Sequence, residues 1–331
     1  MTSIKRYFIR LGKKMKTRFN SLVSYFRNLP KKTKKGFAKF KDKPKETSVL
    51  FLKRITPEVF AFILLLMFLF PFYIVFINTS KPNILITDTP LALPESWSTM
   101  IMNMQTIFAD TRMRYFSSLL NSAIITSLSL VLIGVSSAMA AWVLVRTKTR
   151  LSMGIFLFII SGLVIPFQVV MLPLVTLLDT LRQFTGIPWK DTHHAVIIAY
   201  MGFGAPLSVF LFHGFIKSIP MDIEEAAIID GCSRPQVFFK IILPILKPIF
   251  VTLLVLNGMW IWNDFLLPLL IIGRGGTTQT LPLAVANLAG AYVRQWNLLL
   301  TALVLSAIPI IILFMFAQKH IIKGMTSGAV K

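Results

Sequence analysis

The sequence has 331 residues, of which 55% are hydrophobic and only 15% are charged, and its mean hydropathy is +0.72. A soluble domain usually contains about 25% charged residues. This composition excludes an ordinary cytosolic enzyme, a disordered chain and a fibrous protein, and it indicates that lipid surrounds most of the chain. The single cysteine, Cys232, excludes an internal disulfide.

The net charge of +22 is concentrated at the N-terminus, where residues 1–54 contain 18 Lys and Arg against only Asp42 and Glu46, a net +16. Basic residues beside a membrane span fix its orientation and attract anionic lipid. We therefore interpret residues 1–54 as a basic cytoplasmic extension, and expect neither nucleic-acid binding nor a signal peptide. Its interleaved aromatic residues fit either an amphipathic segment on the lipid surface or a disordered arm.

Six apolar stretches follow, each long enough to cross a bilayer as a helix, which takes about 20 residues. They are residues 59–77, 116–145, 151–178, 195–216, 248–273 and 296–318. Asp264 is the only Asp, Glu, Lys or Arg within them. The stretches are too long and too uniformly apolar for barrel strands. The sequence predicts an all-α membrane protein in which residues 55–331 form a six-helix transmembrane domain.

Lys and Arg counts in the connecting segments predict the orientation. With the N-terminus inside, the inner segments hold 28 of these residues and the outer segments hold 7. Both termini are therefore predicted to be cytoplasmic. The short inner segment 146–150 predicts a tight hairpin between the second and third spans.

The inner segment 218–244 predicts two short helices at a sharp bend. Pro220 suits a first helical position, and the acidic residues that follow favour the positive end of the helix dipole. Gly231 suits a left-handed C-terminal cap. Ser233 and Gln236 have the spacing of a capping box, which would start a second helix that ends at Pro244. Taken alone, this pattern also fits an ordinary helical hairpin between membrane spans.

A motif within this segment resembles the EAA loop of ATP-binding-cassette importer permeases. It reads Glu225, Ala226, Ala227, three residues, Gly231, nine residues, Ile241, one residue, Leu243 and Pro244. Residues 260–269 and the C-terminal part from Trp296 onwards resemble the carbohydrate branch of that family, the MalG-like permeases. The basic extension departs from the family pattern.

The resemblance implies a MetI-like permease fold and a heteromeric importer in the cell membrane. Its other members would be a second MalF-like permease subunit, two ABC ATPase subunits and an extracellular sugar-binding protein. ATP and Mg would be bound by the ATPase subunits, with no cofactor on this chain. The residues implied to couple to the ATPase are Glu224, Glu225, Ala226, Ala227, Asp230, Gly231, Ile241, Leu243 and Pro244. The cytoplasmic tail, 319–331, is implied to contact the ATPase through Gly324, Gly328 and Lys331.

Asp264 is the carboxylate within a predicted span, and such groups usually face a bundle interior or a water-filled cavity. Together with Asn257, Trp260 and Asn263 it supplies the aromatic planes and polar groups that a sugar needs. Two interpretations stay open: these residues line the pathway, or they hold the interface with the partner permease.

The sequence shows no catalytic constellation and no phosphate-binding loop. His193 and His194 are adjacent, so they do not face each other on a helix, and we predict no metal site. His213 is predicted to have a structural role. Two alternatives to a carbohydrate permease remain: a permease subunit for a polyamine, an amino acid or phosphate, and an integral-membrane enzyme or scaffold.

Overall fold

The computed structural model describes residues 44–291 and 295–329, and every regular element in these ranges is helical, as predicted. A π-helical turn spans Phe238–Ile242. The α-helices are α1 (Pro44–Asn78), α2 (Asn83–Asp88), α3 (Ser98–Ala109), α4 (Tyr115–Arg146), α5 (Arg150–Ser161), α6 (Phe167–Thr185), α7 (His193–Ile216), α8 (Asp222–Ile229), α9 (Arg234–Val237), α10 (Leu243–Ile245), α11 (Lys247–Asn263), α12 (Leu266–Ile272), α13 (Leu281–Ala291) and α14 (Trp296–Ala329).

The chain divides into two compact units between Pro71 and Phe72. Residues 1–43 of the predicted basic extension lie outside the described residues. The backbone of α1 runs without a break across the predicted boundary at residues 54–55, so the start of the transmembrane domain is not a helix boundary.

The part of α1 in the first unit is apolar on all sides. Phe60 and Phe68 are 61% and 67% exposed, and nearly every other side chain from Thr56 to Pro71 is also exposed. A helix that is hydrophobic all round must be covered by protein or by lipid. By length and composition this part of α1 is a candidate membrane span.

α4 and α7 make the most extensive helix–helix contact among the described residues. Lipid tails are as apolar as leucine, so helices in a bilayer associate through close packing of small residues. α4 buries Ser122, Ser129 and Ser137 along its length. A Cβ at Gly204 of α7 would lie 2.7 Å from Ile133 Cδ1 on α4, so the glycine lets the two backbones approach closely.

Three helices are long and apolar enough to cross a membrane within the described part of the chain, namely Thr56–Asn78, Tyr115–Arg146 and His193–Ile216. A fourth is counted if Arg234–Ile245 and Lys247–Asn263, which are bent by 72°, form one span. The last predicted span lies within α14, whose helix runs on past residue 318.

The prediction of one uninterrupted helix over residues 151–178 is wrong. α5 ends at Ser161 and α6 begins at Phe167. Gly162, Leu163 and Val164 donate backbone hydrogen bonds to carbonyls three residues back, which tightens the last turn. Pro166 then fixes an extended backbone before α6. Pro173 is tolerated inside α6.

The prediction of one helix over residues 248–273 is also wrong. Asp264 has an extended backbone after α11, and its Oδ1 accepts the backbone N–H of Leu266 at 2.9 Å. The side chain thereby replaces a helical acceptor and starts α12. The predicted hairpin between the second and third spans is confirmed, because α4 ends at Arg146 and α5 begins at Arg150.

The second unit has its buried side chains in three clusters. One joins the ends of α4 and α7 to the inner segment through Phe212, Ile216, Phe238 and Ile242. A second lies around Tyr200 and Ile261 and includes residues of α4, the first third of α7, α11 and α12. A third joins α3, α13 and α14. The first cluster positions the EAA segment, and the second positions the surroundings of Asp264.

Candidate functional site

α8 forms the first half of the predicted coupling segment, and its first turn carries Asp222, Glu224 and Glu225. The helix begins at Asp222, so the prediction that Pro220 occupies the first helical position is wrong by two residues. The Ser218 and Ile219 amides instead continue the end of α7 through hydrogen bonds to carbonyls three residues back.

Glu224 faces inwards and anchors α8 to the end of α4. Its Oε1 lies 2.7 Å from Arg146 Nη2 and accepts a hydrogen bond from Arg146 Nε at 2.8 Å. Its Oε2 accepts one from Trp142 Nε1 at 3.0 Å. Arg146 Nη2 also donates to the Ile219 carbonyl at 3.1 Å. Charge-assisted, forked contacts of this kind fix orientation as well as contributing energy, so the bend between α7 and α8 is held rigidly.

Sequence reasoning missed Arg146 and Trp142, and it grouped Glu224 with the residues that face the ATPase. The Glu224 side chain is only 4% exposed, so the surface available to a partner excludes it. A signal was present in the sequence: Trp142 and Arg146 lie four residues apart at the end of the second apolar stretch, so they share one face of a helix.

Gly231 ends α8 in the predicted left-handed conformation, with φ of +86°. Cys232 N–H donates to the Ala227 carbonyl at 2.9 Å, and Gly231 N–H donates to the Ile228 carbonyl at 3.0 Å. These two bonds define a Schellman motif. The left-handed residue reverses the chain into α9.

Ser233 and Gln236 form the predicted capping box at the start of α9, in which Gln236 Oε1 accepts the Ser233 N–H at 2.8 Å. The prediction that this second helix ends at Pro244 is wrong. The chain stays helical through Pro244 because the turn before it widens to a π-helix, in which Leu243 N–H bonds the Phe238 carbonyl. Proline lacks an N–H and its ring crowds the carbonyl four residues back, and a wider turn accommodates both effects.

The exposed side of the predicted coupling segment combines acidic and apolar groups. Among the predicted coupling residues, Glu225, Ala226, Asp230, Gly231 and Pro244 are exposed, Ile241 and Leu243 are half-buried, and Ala227 is buried. Large apolar side chains are also exposed there, including Ile229 at 85%. The others are Met221, Ile223, Ile228 and Phe239. The surface offers apolar area together with carboxylates to a partner.

The predicted pathway residues separate into two environments. Asp264 and Trp260 come together around Tyr200 of α7, whose hydroxyl donates to Asp264 Oδ2 at 3.1 Å. The Tyr200 and Trp260 rings meet edge to face with centroids 5.5 Å apart. Trp260 is 42% exposed and Asp264 is half-buried, so both present surface. Tyr200 was not predicted, although it is the only tyrosine in the fourth apolar stretch.

Asn257 and Asn263 do not join this group. Asn257 is buried and its Nδ2 donates to Ser208 Oγ at 2.9 Å, which ties α11 to α7. Asn263 is exposed and its Nδ2 donates to the Met259 carbonyl of its own helix at 2.8 Å. The Asn257 side chain is thereby fixed between α11 and α7, and the Asn263 side chain bonds the last turn of its own helix.

The histidines lie in separate surroundings. His193 Nε2 is 2.8 Å from Asn121 Oδ1, whereas the His194 ring meets Trp189 edge to face. Within the described ranges no three His, Cys, Asp or Glu side chains are grouped as a metal site requires. In the predicted tail, residues 319–329 continue the α14 backbone, and Lys331 lies outside the described residues.

Comparison with known proteins identifies the family. Residues 130–327 match the family model described as binding-protein-dependent transport system inner membrane component. A probable starch degradation products transport system permease of Thermoanaerobacterium thermosulfurigenes is 38% identical over 81% of this chain and 94% of its own length. A multiple sugar-binding transport system permease of Streptococcus mutans is 36% identical over 69% of this chain and 80% of its own length.

The fold has a solved counterpart. A chain of a bacterial ABC transporter that imports the acidic polysaccharide alginate matches with a TM-score of 0.65 and 20% identity, covering 81% of this chain and 96% of that chain. The predicted MetI-like permease architecture is thereby confirmed. The chain is a membrane-embedded transport subunit, and it belongs to the family of binding-protein-dependent transport system inner membrane components.

Proposed function

We propose that this chain is one of two permease subunits of an ATP-driven importer for a sugar or oligosaccharide. The named functions of its relatives support the substrate class, since they include permeases for starch degradation products, multiple sugars and arabinooligosaccharides. An extracellular binding protein would deliver the sugar. A further alginate transporter structure, of the same fold, was solved with a periplasmic protein that carries an alginate pentasaccharide.

The observation that carries this proposal is the exposed segment formed by α8 and α9, which the Glu224–Arg146 ion pair fixes to α4. Its exposed acidic and apolar residues would dock on a separate ATPase that binds ATP and Mg. Both termini of the chain and this segment would then lie in the cytoplasm.

Movement of α8 would be transmitted to α4 and α7 through two connections. The Glu224–Arg146 pair joins α8 to α4, and the cluster around Phe212 and Phe238 joins the segment to α7. Tyr200 lies 16 residues before Ile216 on the same helix, or about 24 Å at 1.5 Å per residue. A shift at the cytoplasmic end of α7 would therefore alter the Tyr200, Trp260 and Asp264 group, which we assign to the sugar pathway.

Co-purification and ATP hydrolysis test this proposal. The tagged full-length chain should purify with an ATPase and with a second permease. In liposomes, the binding protein loaded with an oligosaccharide should stimulate ATP hydrolysis, whereas polyamines, amino acids and phosphate should not. Purification without an ATPase would refute the importer assignment, and stimulation by one of the other solutes would refute the sugar assignment alone.

A further inference from the structure

A pocket of about 370 Å³ lies between the α4–α5 turn and the end of α7. Three exposed basic residues line it: Lys148, Arg150 and Lys217. No acidic residue is among its lining residues, and none of the three cations has a side-chain hydrogen bond or ion pair with the part of the chain that the structure describes. Like charges gathered in one concavity repel each other, and a bound anion would relieve that repulsion.

His213 adds a hydrogen-bonding group to the same pocket. The residue lines this pocket and is only 6% exposed. Its ring stacks on Phe156 with centroids 3.7 Å apart, and neither ring nitrogen is a fully buried atom without a partner. The ring nitrogens therefore reach the pocket, where they can bond to a ligand with acceptor oxygens.

Apart from Thr149 and Ser152, the rest of the pocket lining is apolar. Met153 and Phe156 of α5 contribute to it, and the outer side of the same helix exposes Leu151 at 73% and Phe158 at 79%. The pocket therefore lies where basic groups meet a lipid-facing helix surface. Its lining is amphipathic in the same sense as a phospholipid.

We propose that this pocket binds the headgroup phosphate of an anionic phospholipid such as phosphatidylglycerol. The phosphate lies among Lys148, Arg150 and Lys217, the His213 ring donates to a lipid oxygen, and the first acyl carbons cover Met153 and Phe156. Inorganic phosphate shares the charge, but it leaves the apolar wall uncovered. Basic pockets between helices at the cytoplasmic membrane surface are suited to anionic headgroups.

Native mass spectrometry of the full-length chain, purified with the subunits that accompany it, tests the proposal. Wild-type protein should retain phosphatidylglycerol over phosphatidylcholine by at least about tenfold, because three basic residues attract the anionic headgroup. A triple variant, Lys148→Gln with Arg150→Gln and Lys217→Gln, should lose that preference. Unchanged retention in the triple variant would overturn the proposal.

Two controls sharpen the result. A second triple variant, Arg234→Gln with Lys240→Gln and Lys247→Gln, removes the same charge from the inner segment and should retain the lipid preference. Displacement of phosphatidylglycerol by millimolar inorganic phosphate would identify a soluble-anion site and overturn the lipid assignment.

If the first triple variant has a lower melting temperature than the wild type in phosphatidylcholine nanodiscs, Lys217→Gln alone replaces it. None of these measurements requires ATP or sugar, so their outcome is independent of the proposed transport function.

Discussion

Glu224 and Glu225 are adjacent carboxylates with opposite surroundings. Glu224 is buried against Arg146 and Trp142, whereas Glu225 is exposed on the outward side of α8. Adjacent helical residues point about 100° apart, so one acid can hold the segment while its neighbour stays available to a partner. Glu224, which immediately precedes the EAA motif, is therefore buried, whereas Glu225, its first residue, stays on the surface.

Glu224→Gln should lower the melting temperature of the protein, because it leaves Arg146 without a counter-charge in a mostly buried site. Removal of one partner from a buried ion pair costs on the order of 3 kcal/mol. Glu225→Gln should leave the melting temperature unchanged and weaken ATPase co-purification. Thermal unfolding in detergent and pull-down of the ATPase measure the two effects. Equal melting temperatures for the two variants would contradict this division of roles.

Asp191 joins two loops that are far apart in sequence. Its carboxylate accepts hydrogen bonds from the backbone and hydroxyl groups of Thr277 and Thr278, at 2.7 to 3.1 Å. Burial raises the pKa of Asp191, but these hydrogen bonds outweigh it, so that its pKa lies below the ordinary value of 3.8. A carboxyl whose pKa is depressed by folding stabilises the protein above its unfolded pKa, and that contribution is lost as the pH falls through the folded pKa.

Asp191→Asn should therefore lower the melting temperature at pH 7, with a loss of about 1 to 3 kcal/mol from unsatisfied donors. The difference in melting temperature between the variant and the wild type should narrow as the pH falls below 3.8. Asparagine tolerates the left-handed backbone of this residue, φ +53°, so the variant removes the carboxylate without adding backbone strain. Melting curves measured from pH 7 to pH 3 check the prediction, and a gap that stays constant with pH would refute it.

At the scale of helices, packing depends on where small residues meet large ones. A Cβ at Gly134 of α4 would overlap the Phe250 ring of α11, whereas a Cβ at Gly154 of α5 meets no atom within 4 Å. Both glycines lie inside helices. A glycine-to-alanine change in a helix normally stabilises by about 0.5 to 1 kcal/mol.

Gly134→Ala should reverse that sign and destabilise the protein by about 1 to 3 kcal/mol, because the Phe250 ring must move in a packed site. Gly154→Ala, as the matched control, should raise the melting temperature slightly or leave it unchanged. The two variants can be compared by thermal unfolding in the same detergent. A rise in melting temperature for Gly134→Ala would show that α11 does not pack on α4 as described.

Gly231 permits the reversal between α8 and α9 through its backbone rather than through lack of space, since no atom lies within 4 Å of its ideal Cβ position. Gly231→Val should cost about 1 to 2 kcal/mol locally, because a β-branched residue is strained at positive φ. Sugar-stimulated ATP hydrolysis and uptake should fall while membrane insertion is retained. Gly231→Asn, which tolerates this conformation, should preserve most of the activity. Normal uptake by Gly231→Val would indicate that the bend does not contribute to coupling.

At the scale of the whole molecule, Cys232 is a natural reporter of orientation. It is the only cysteine of the sequence and is half-buried next to the bend between α8 and α9. In intact cells, a membrane-permeant maleimide should label it and an impermeant maleimide should not. A Cys232→Ser variant with Arg274→Cys should react with the impermeant reagent, because residue 274 is exposed and lies in a predicted outer loop. Labelling of Cys232 from outside would invert the proposed topology.

The sequence alone determined those features that depend on local chemistry. The apolar stretches predicted helices because lipid requires every backbone group to be bonded within its own segment. Gly231 and the Ser233–Gln236 pair predicted a cap and a helix start because their partners lie within a few residues. The helix breaks before Pro166 and at Asp264 were less evident, because proline and aspartate can also occur inside membrane spans.

Only the tertiary structure decided which distant groups meet. Glu224 and Arg146 are separated by 78 residues, Tyr200 and Asp264 by 64, and Asp191 and Thr277 by 86. No hydrophobic period or spacing rule connects such pairs, because their proximity follows from how α4, α7 and α11 pack. The sequence thus identified the EAA segment and Asp264 as candidate sites, whereas packing decided that Glu224 anchors the segment and that Tyr200 lies beside Asp264.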